Sequence, residues 1–354
     1  MMDYRYDRYF LEALLRTASP SGFETKAAEI WRSKANNIVG ADSVDFDVHG
    51  NSFAMIKAKN GKPPIMLAGH IDEIGLMVSY VDPDGFIYFR PIGGWDPQIL
   101  PNQRVKIYGK DGKCAIKGVI GRTPIHLFDE KSTATKIADL WIDTGLGKRA
   151  VERVSVGDYV VIDCESELDG DILISRGLDD KIGAFIALEV LRTIIQNNKG
   201  KKPEYSVCAV ATVQEEVGLR GAKTSAYGLN PVIGIAIDVT HATDNPGADK
   251  RKQGDIKLGA GPVIAVGPNI NMEIYNLLVK TAKKFKIPYQ IKAAPGGTGT
   301  DANAIQLTRA GVATGLVSIP NRYMHSPNEM VDMNDVENAI KLLAGFLELS
   351  LFEK

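Results

Sequence analysis

Two histidines and several carboxylates stand where apolar segments of this chain stop, and residues of those types together can hold divalent metal ions. IMLAG runs into His70, VCAVATVQ into the tandem pair Glu215-Glu216, VIGIAI into Asp238, and ATGLVSIPNRYM into His325. A further carboxylate, Asp179 in RGLDDKIG, opens a helix. A catalytic zinc centre combines imidazole nitrogens with carboxylate oxygens and leaves one position for water. Two ions about 3.5–4 Å apart need a bridging carboxylate besides end ligands for each. His70 and His325, a bridging Asp179, and terminal Glu216 and Asp238 meet that demand. Two dications against these three carboxylates leave about one positive charge, which lowers the pKa of bound water and favours a bridging hydroxide near neutral pH. Glu215, next to a ligand, is the candidate general base. Asp72, two residues past His70, is the candidate to orient that imidazole. The chemistry is metal-dependent hydrolysis.

For these side chains to converge, the runs that carry them must be neighbouring strands of an open α/β sheet, where ligands bind beyond the carboxyl ends of the strands. The run Val207 to Val213 is nearly all apolar, as expected of a strand covered by helices on both faces. Helical spacing predicts helices over 4–19, from Asp180 to Asn197, from Met272 to Phe285, from Asp301 to Arg309 and from Asp335 to Leu351. Ser21 with Glu24 predicts a capping box opening a helix through Trp31, and Asn334 with Glu337 predicts another. FDVHGNSFAMIKAKNGKPPIMLAGH reads as strand, turn, strand.

Between about Gly75 and Glu167 the texture changes to short Val/Ile/Tyr-rich runs punctuated by DPDG, PIGG and KDGK. The predicted architecture is therefore α/β, with a mixed central sheet flanked by helices and a small β-rich domain inserted into it. Residues 1–74 and 168–354 form the catalytic domain and 75–167 the insert, whose expected role is assembly or access control.

Composition narrows the rest. With 354 residues, 44% hydrophobic and 24% charged, the chain has the make-up of a soluble globular protein. The formal net charge of −1 gives no electrostatic reason for a nucleic-acid or membrane partner. Three scattered cysteines, a charged start and no apolar run near the roughly 18 residues of a membrane span point to the cytoplasm. His49 reads as a turn residue and His241 as a fallback ligand. APGGTGTDAN (294–303) lacks the phosphate-loop pattern and reads as backbone lining a substrate cleft.

AGHIDEIGL, RGLDDKIG, VQEEVGLRGA, AIDVT, GGTGTDAN and SIPNRYMHSPNE, in this order along almost the whole chain, resemble the M42 family of metallo-aminopeptidases. The family includes TET and glutamyl aminopeptidases and members with an older endoglucanase label. The resemblance implies two metal ions, zinc or cobalt, on His70, Asp179, Glu216, Asp238 and His325, with Asp179 bridging and Glu215 as general acid/base. It also implies peptide substrates and self-association through the β-rich domain into dimers or tetrahedral twelve-subunit shells. In such an assembly His126 is a candidate to reach a neighbour's site. Two alternatives stand beside it. A glucan hydrolase needs carboxylates on opposite sides of the scissile bond, about 5–9.5 Å apart, which an adjacent pair does not supply. A catalytically silent shell or binding protein would lack a ligand or the base, and here every such position is filled.

Overall fold

A computed structural model describes residues 6–59, 61–127, 134–198 and 201–351. Helices α1 (Arg8–Arg16) and α2 (Thr25–Val39) precede strands β1 (Val44–Phe46), β2 (Ser52–Ile56) and β3 (Ile65–His70). Six strands follow: β4 (Gly75–Val81), β5 (Ile87–Ile92), β6 (Arg104–Tyr108), β7 (Cys114–Gly121), β8 (Trp141–Asp143) and β9 (Tyr159–Ile162). Then come β10 (Glu167–Asp169), β11 (Ile172–Ser175), α3 (Leu178–Asn198), β12 (Val207–Thr212), α4 (Arg220–Leu229), β13 (Ile233–His241) and α5 (Lys250–Gln253). The chain closes with β14 (Val263–Val266), α6 (Met272–Phe285), β15 (Gln290–Ala293), α7 (Ala302–Ile305), β16 (Ala313–Asn321), β17 (Glu329–Asp332) and α8 (Met333–Leu351).

The large sheet has the order β1-β2-β12-β3-β13-β16-β14-β15, and its four central strands, β12, β3, β13 and β16, run parallel. IMLAGH and VCAVAT are buried at every position because both sheet faces are covered. Alternate residues go to opposite sides. Ile65, Leu67, Ala209 and Ile235 pack with α1, α2, α3, α6 and α8, whereas Met66, Ala68, Val210 and Ala236 pack with α4 and α7. Helix α3 lies so close to β3 that a Cβ on Gly69 would meet the carbonyl carbon of Gly183 at 2.2 Å.

Strands β4 to β9 close into a barrel in the order β4-β5-β8-β7-β6-β9, with its own core of Leu76, Val78, Ile87, Phe89, Val105, Ile107 and Val160. It follows β3 directly, so the chain leaves the central sheet at His70 and returns to it only after residue 167. A third sheet, β10-β11-β17, places Glu329 opposite Ser175.

Several expected details differ. Helix α2 starts without a side-chain cap, because the Ser21 hydroxyl donates to Asp72 at 2.6 Å and Glu24 accepts from the main-chain N–H of Gly22 at 2.8 Å and of Gln214 at 3.2 Å, not from that of Ser21. Helix α8 is opened by Asp332, which accepts from Asn334 N–H at 2.8 Å, so Asn334 receives a cap and does not provide one. The helix expected over Asp301–Arg309 is a single turn, α7, since Thr308 and Gly311 close turns immediately behind it. The first helix is shorter than 4–19, capped by Asp7, and residues 4 and 5 lie outside the described residues. Asp238 does not end its strand, as β13 continues alongside β16 to His241.

Candidate metal centre

The register explains how sequence-distant carboxylates and imidazoles meet. Thr212 of β12 pairs with His70 of β3, so Glu215 and Glu216 leave the sheet beside His70. The β3–β13 ladder closes at Ala68–Ala236, two residues short of both His70 and Asp238, which therefore stand level where the strands have parted. Asp179 has extended backbone and Asp180 is also non-helical, so helical geometry is interrupted at the start of α3 beneath this opening.

Asp179 faces both histidines. Its Oδ1 is 3.1 Å from His70 Nε2 and its Oδ2 is 3.3 Å from His325 Nε2. His325 Nε2 also lies 3.4 Å from Glu216 Oε1, and His70 Nε2 lies 3.9 Å from Glu215 Oε2. Ligand-type atoms of His70, Asp179 and Glu216 lie within 4.8 Å of one another, as do those of His70, Glu215 and Asp238. The other imidazole nitrogens meet main-chain carbonyls: His70 Nδ1 that of Asp72 at 3.1 Å, and His325 Nδ1 that of Gly94 at 2.8 Å. A proton on Nδ1 of each ring, donated to the carbonyl, leaves each Nε2 lone pair facing the carboxylates. Gly94 follows β5, so the barrel segment itself fixes one imidazole of the centre.

Asp72 orients more than the imidazole. Its carboxylate is 3.5 Å from His70 Nδ1, outside hydrogen-bond distance, but accepts from the N–H groups of Glu215 at 3.0 Å and Glu216 at 3.2 Å. Asp180 accepts from His70 N–H at 3.1 Å. Glu329 accepts from Asp179 N–H and from His325 N–H, each at 2.9 Å. His325 has a positive φ of 60°, unusual for a residue with a Cβ, and that bond helps to hold it there.

The electrostatics are those of crowded anions. Burial, with Asp238, Asp301 and Glu216 nearby, pushes Glu215 up to about 10 despite the opposing His70. Burial also raises Asp238 well above the usual carboxylate range. The carboxylates of Asp179 and Glu216 facing its Nε2 push His325 up to about 11, against its burial. Burial alone would lower His70, but Glu215, Asp179 and Asp72 raise it. Asp179 is held low by His325 and His70 against its burial. Glu215 Oε1, Glu216 Oε1 and Asp301 Oδ1 are buried without a hydrogen-bond partner among the described residues. Unpaired buried carboxylate oxygens are unfavourable unless a cation or a proton compensates them. The donor set therefore fits divalent cations.

The centre lines a cleft of about 480 Å³, whose wall includes Thr240, His241, Lys292, Thr298, Gly299, Thr300 and Met324. The 294–303 loop thus contributes to the cleft as expected. His241 lines it too, although it joins neither group of ligand atoms. His49 sits in the turn between β1 and β2, and His126 is exposed in a short turn of the barrel segment, away from the cleft. Glu329, Gly94, Asp301 and Lys292 were not singled out by the sequence. The available signals were the motifs themselves: Glu329 ends SIPNRYMHSPNE and Asp301 lies within GGTGTDAN.

A parallel-centred sheet with imidazoles and carboxylates gathered in a cleft at its strand ends fits the class of metal-dependent hydrolases. The profile of the M42 glutamyl aminopeptidase family matches residues 50–342, and the chain belongs to that family of aminopeptidases. It is 38% identical over 318 residues to the lysyl aminopeptidase of Pyrococcus furiosus, covering 87% of each protein. Among solved structures, the aminopeptidase APDkam598 of Desulfurococcus kamchatkensis superposes with a TM-score of 0.88 at 39% identity, over 97% of this chain and 94% of that one. The TET1 peptidase of Pyrococcus horikoshii, which can assemble into a tetrahedron or a large octahedral shell, gives 0.82 at 30% identity over 95% and 98%.

Proposed function

We propose that this aminopeptidase removes N-terminal residues from peptides at a two-metal centre held by His70, Asp179, Glu216, Asp238 and His325. The observation that carries it is the division of Asp179, whose two carboxylate oxygens face different histidines. Such a carboxylate would serve two ions, with His70 and Asp238 available to hold one and Glu216 and His325 the other. Two divalent ions, zinc or cobalt, would supply a polarised scissile carbonyl and a water of lowered pKa.

The chain's own residues do the rest. Glu215 takes a proton from the attacking water and returns it to the departing amine, as its place beside His70 allows. Loading the centre with positive charge brings this carboxyl down from its raised value, so that the base form exists at neutral pH. Asp72 fixes the Glu215-Glu216 backbone and, through its carbonyl, the tautomer of His70.

We assign residues 1–74 and 168–354 to the catalytic domain and 75–167 to an inserted domain through which copies associate. A dimer or closed shell that admits only peptides agrees with the assembly of the TET1 relative. Three free cysteines, with no helix among the described residues long and apolar enough to cross a membrane, support action in the cytoplasm. Replacing Glu215 by Gln is expected to lower turnover at least a thousandfold while elemental analysis still finds two ions per chain. Replacing Asp179 by Asn is expected to lose metal itself. Full turnover in the Glu215→Gln protein would remove that residue from the mechanism.

A further inference from the structure

We propose that a groove at the outer edge of β2 docks an extended segment of another protein, one that alternates apolar with acidic residues and adds to the large sheet as a strand. The groove lies at the opposite end of the sheet from the metal centre, so the inference does not depend on the reading of that centre. Strand β1 pairs with β2 only at Ser52, Phe53 and Ala54. Before Val44 the chain turns away from β2, because α2 stops at Gly40 with a positive φ of 86° and Ala41–Ser43 close a short helical turn. Met55 and Ile56 continue β2 past this point. They pair with Cys208 and Val207 of β12 on one side and with no strand of the described residues on the other. A cavity of about 390 Å³ opens against that bare edge. Main-chain groups at a sheet edge without a partner strand are a template for another chain.

The walls specify the guest. Ile56 packs on the face covered by α2 and α3 and Met55 on the opposite face, so the groove wraps the edge of the strand. Ile38 and Val39 at the end of α2, with Ile194 and Ile195 near the end of α3, complete an apolar lining. Val44 of β1 packs against the same core, and a strand in line with β1 would place its apolar side chains as Val44 does. The rim is cationic. Lys57, Lys201 and Lys202 are exposed along it, and no carboxylate lines the groove among the described residues. Glu204, the acid that follows these lysines in the chain, pairs with Lys62 instead. Like charges gathered at one mouth repel each other, and acidic side chains of a guest would relieve that. A fatty carboxylate would suit the same walls but would dry the main-chain edge without pairing it, which is unfavourable. Ile56 lies opposite Val207, where β12 begins, and the metal-binding residues follow the other end of β3 and β12, about 20 Å away along six residues. A partner held here leaves the cleft open, so docking recruits the peptidase without blocking it.

The test is fluorescence anisotropy with a hexapeptide of alternating Val and Glu, blocked by fluorescein at its N-terminus and by an amide at its C-terminus so that an aminopeptidase cannot shorten it. Saturable binding at low salt is expected, weakened about tenfold or more when Lys replaces Glu or Ser replaces Val. Two further peptides carry N-methyl groups on the valines or on the glutamates, which block opposite edges of the strand. One of the two should lose about tenfold or more relative to the other. The double variant Lys201→Glu/Lys202→Glu, and separately Ile195→Glu, should weaken the parent peptide to a similar extent with near-ultraviolet circular dichroism unchanged. If Ile195→Glu fails to fold, the exposed lysine pair carries the test. No saturable binding, binding indifferent to the two lysines, or equal binding of both N-methylated peptides would overturn the proposal. Equal binding of those two together with displacement by sodium dodecanoate would make the groove a fatty-acid site. A changed oligomeric state of the lysine variant in sedimentation would give the groove to a second copy of the chain, and either result overturns the proposal as well.

Discussion

Glu329 offers the sharpest test of how the centre is held, because one buried carboxylate accepts from the main-chain N–H of two opposed candidate ligands. Its Oε2 takes that of Asp179 and its Oε1 that of His325, both at 2.9 Å. Neither bond touches a metal-facing atom, so the residue acts by position. A Gln at 329 retains one acceptor oxygen but turns an NH2 group towards the other N–H, so one hydrogen bond is exchanged for opposed donors. An intramolecular hydrogen bond contributes about 0.5–1.5 kcal/mol, and leaving a buried donor unmet costs about 1–3 kcal/mol of desolvation. Part of that falls on the fold and part on the centre, since His325 must keep its left-handed backbone to present Nε2. A share of about 1.4–2.7 kcal/mol on the centre corresponds to a 10- to 100-fold weaker metal affinity, the usual range for groups that orient ligands. The assay is chelator competition at fixed pH, with metal content measured after equilibrium dialysis. Urea unfolding of the metal-free protein is run beside it to separate loss of fold from loss of affinity. Glu329→Gln is expected to lose affinity while kcat at saturating metal falls less than tenfold. An unchanged metal Kd in a folded Glu329→Gln protein would refute the reasoning, since the two bonds would then not position the ligands.

What could be read from the sequence depended on whether a residue's partner is local or distant. His70, Glu215 and Glu216 were legible because an unbroken apolar run before a metal-binding type has few other meanings, and the parallel register of β3 with β12 brings those runs side by side. Asp179 had no such signal. Two acids at a helix start suit the helix dipole equally well, and only its match to a family motif set it apart. The caps were misread for the opposite reason. Ser21 and Glu24 have the spacing of a local capping box, yet the Ser21 hydroxyl turns to distant Asp72, and Glu24 accepts from Gly22 N–H and from distant Gln214 N–H. Glu329 binds main-chain N–H groups and Gly94 offers a main-chain carbonyl, groups that nearly every residue carries, so spacing cannot point to them. Lys292 sits in QIKA, a short strand of mixed polarity, and becomes notable only once the fold places it in the wall of the cleft.

Two further outcomes concern the packing that supports the centre. Gly69→Ala places a Cβ against Gly183 and the Ala184 nitrogen at 2.2 and 2.4 Å, and α3 must move to admit it. Urea unfolding should show a loss of about 3 kcal/mol, the upper part of the overpacking range, with weaker metal binding because Asp180 on that helix holds His70 N–H. The other outcome is a pH dependence. Glu73, fully buried, accepts from Lys181 Nζ and from Ser19 N–H, each at 2.9 Å, and pairs with Arg176. Burial alone would raise its carboxyl, but Arg176 and Lys181 lower it from 4.5 to about 2. The folded pKa therefore lies below the unfolded one, and the stabilisation is present above pH 4.5 and lost as pH falls towards 2. A shift of this size is worth about 3 kcal/mol at neutral pH, of which roughly 2 kcal/mol goes between pH 6 and pH 3. Glu73→Gln removes the titration and leaves two buried cations facing a neutral amide, so it should be less stable than wild type at pH 6, with the gap narrowing by that amount at pH 3. The measurement uses metal-free protein, because acid release of metal would add its own slope. A gap that stays constant from pH 6 to pH 3 would mean that Glu73 is not the charge that holds Arg176 and Lys181 in place.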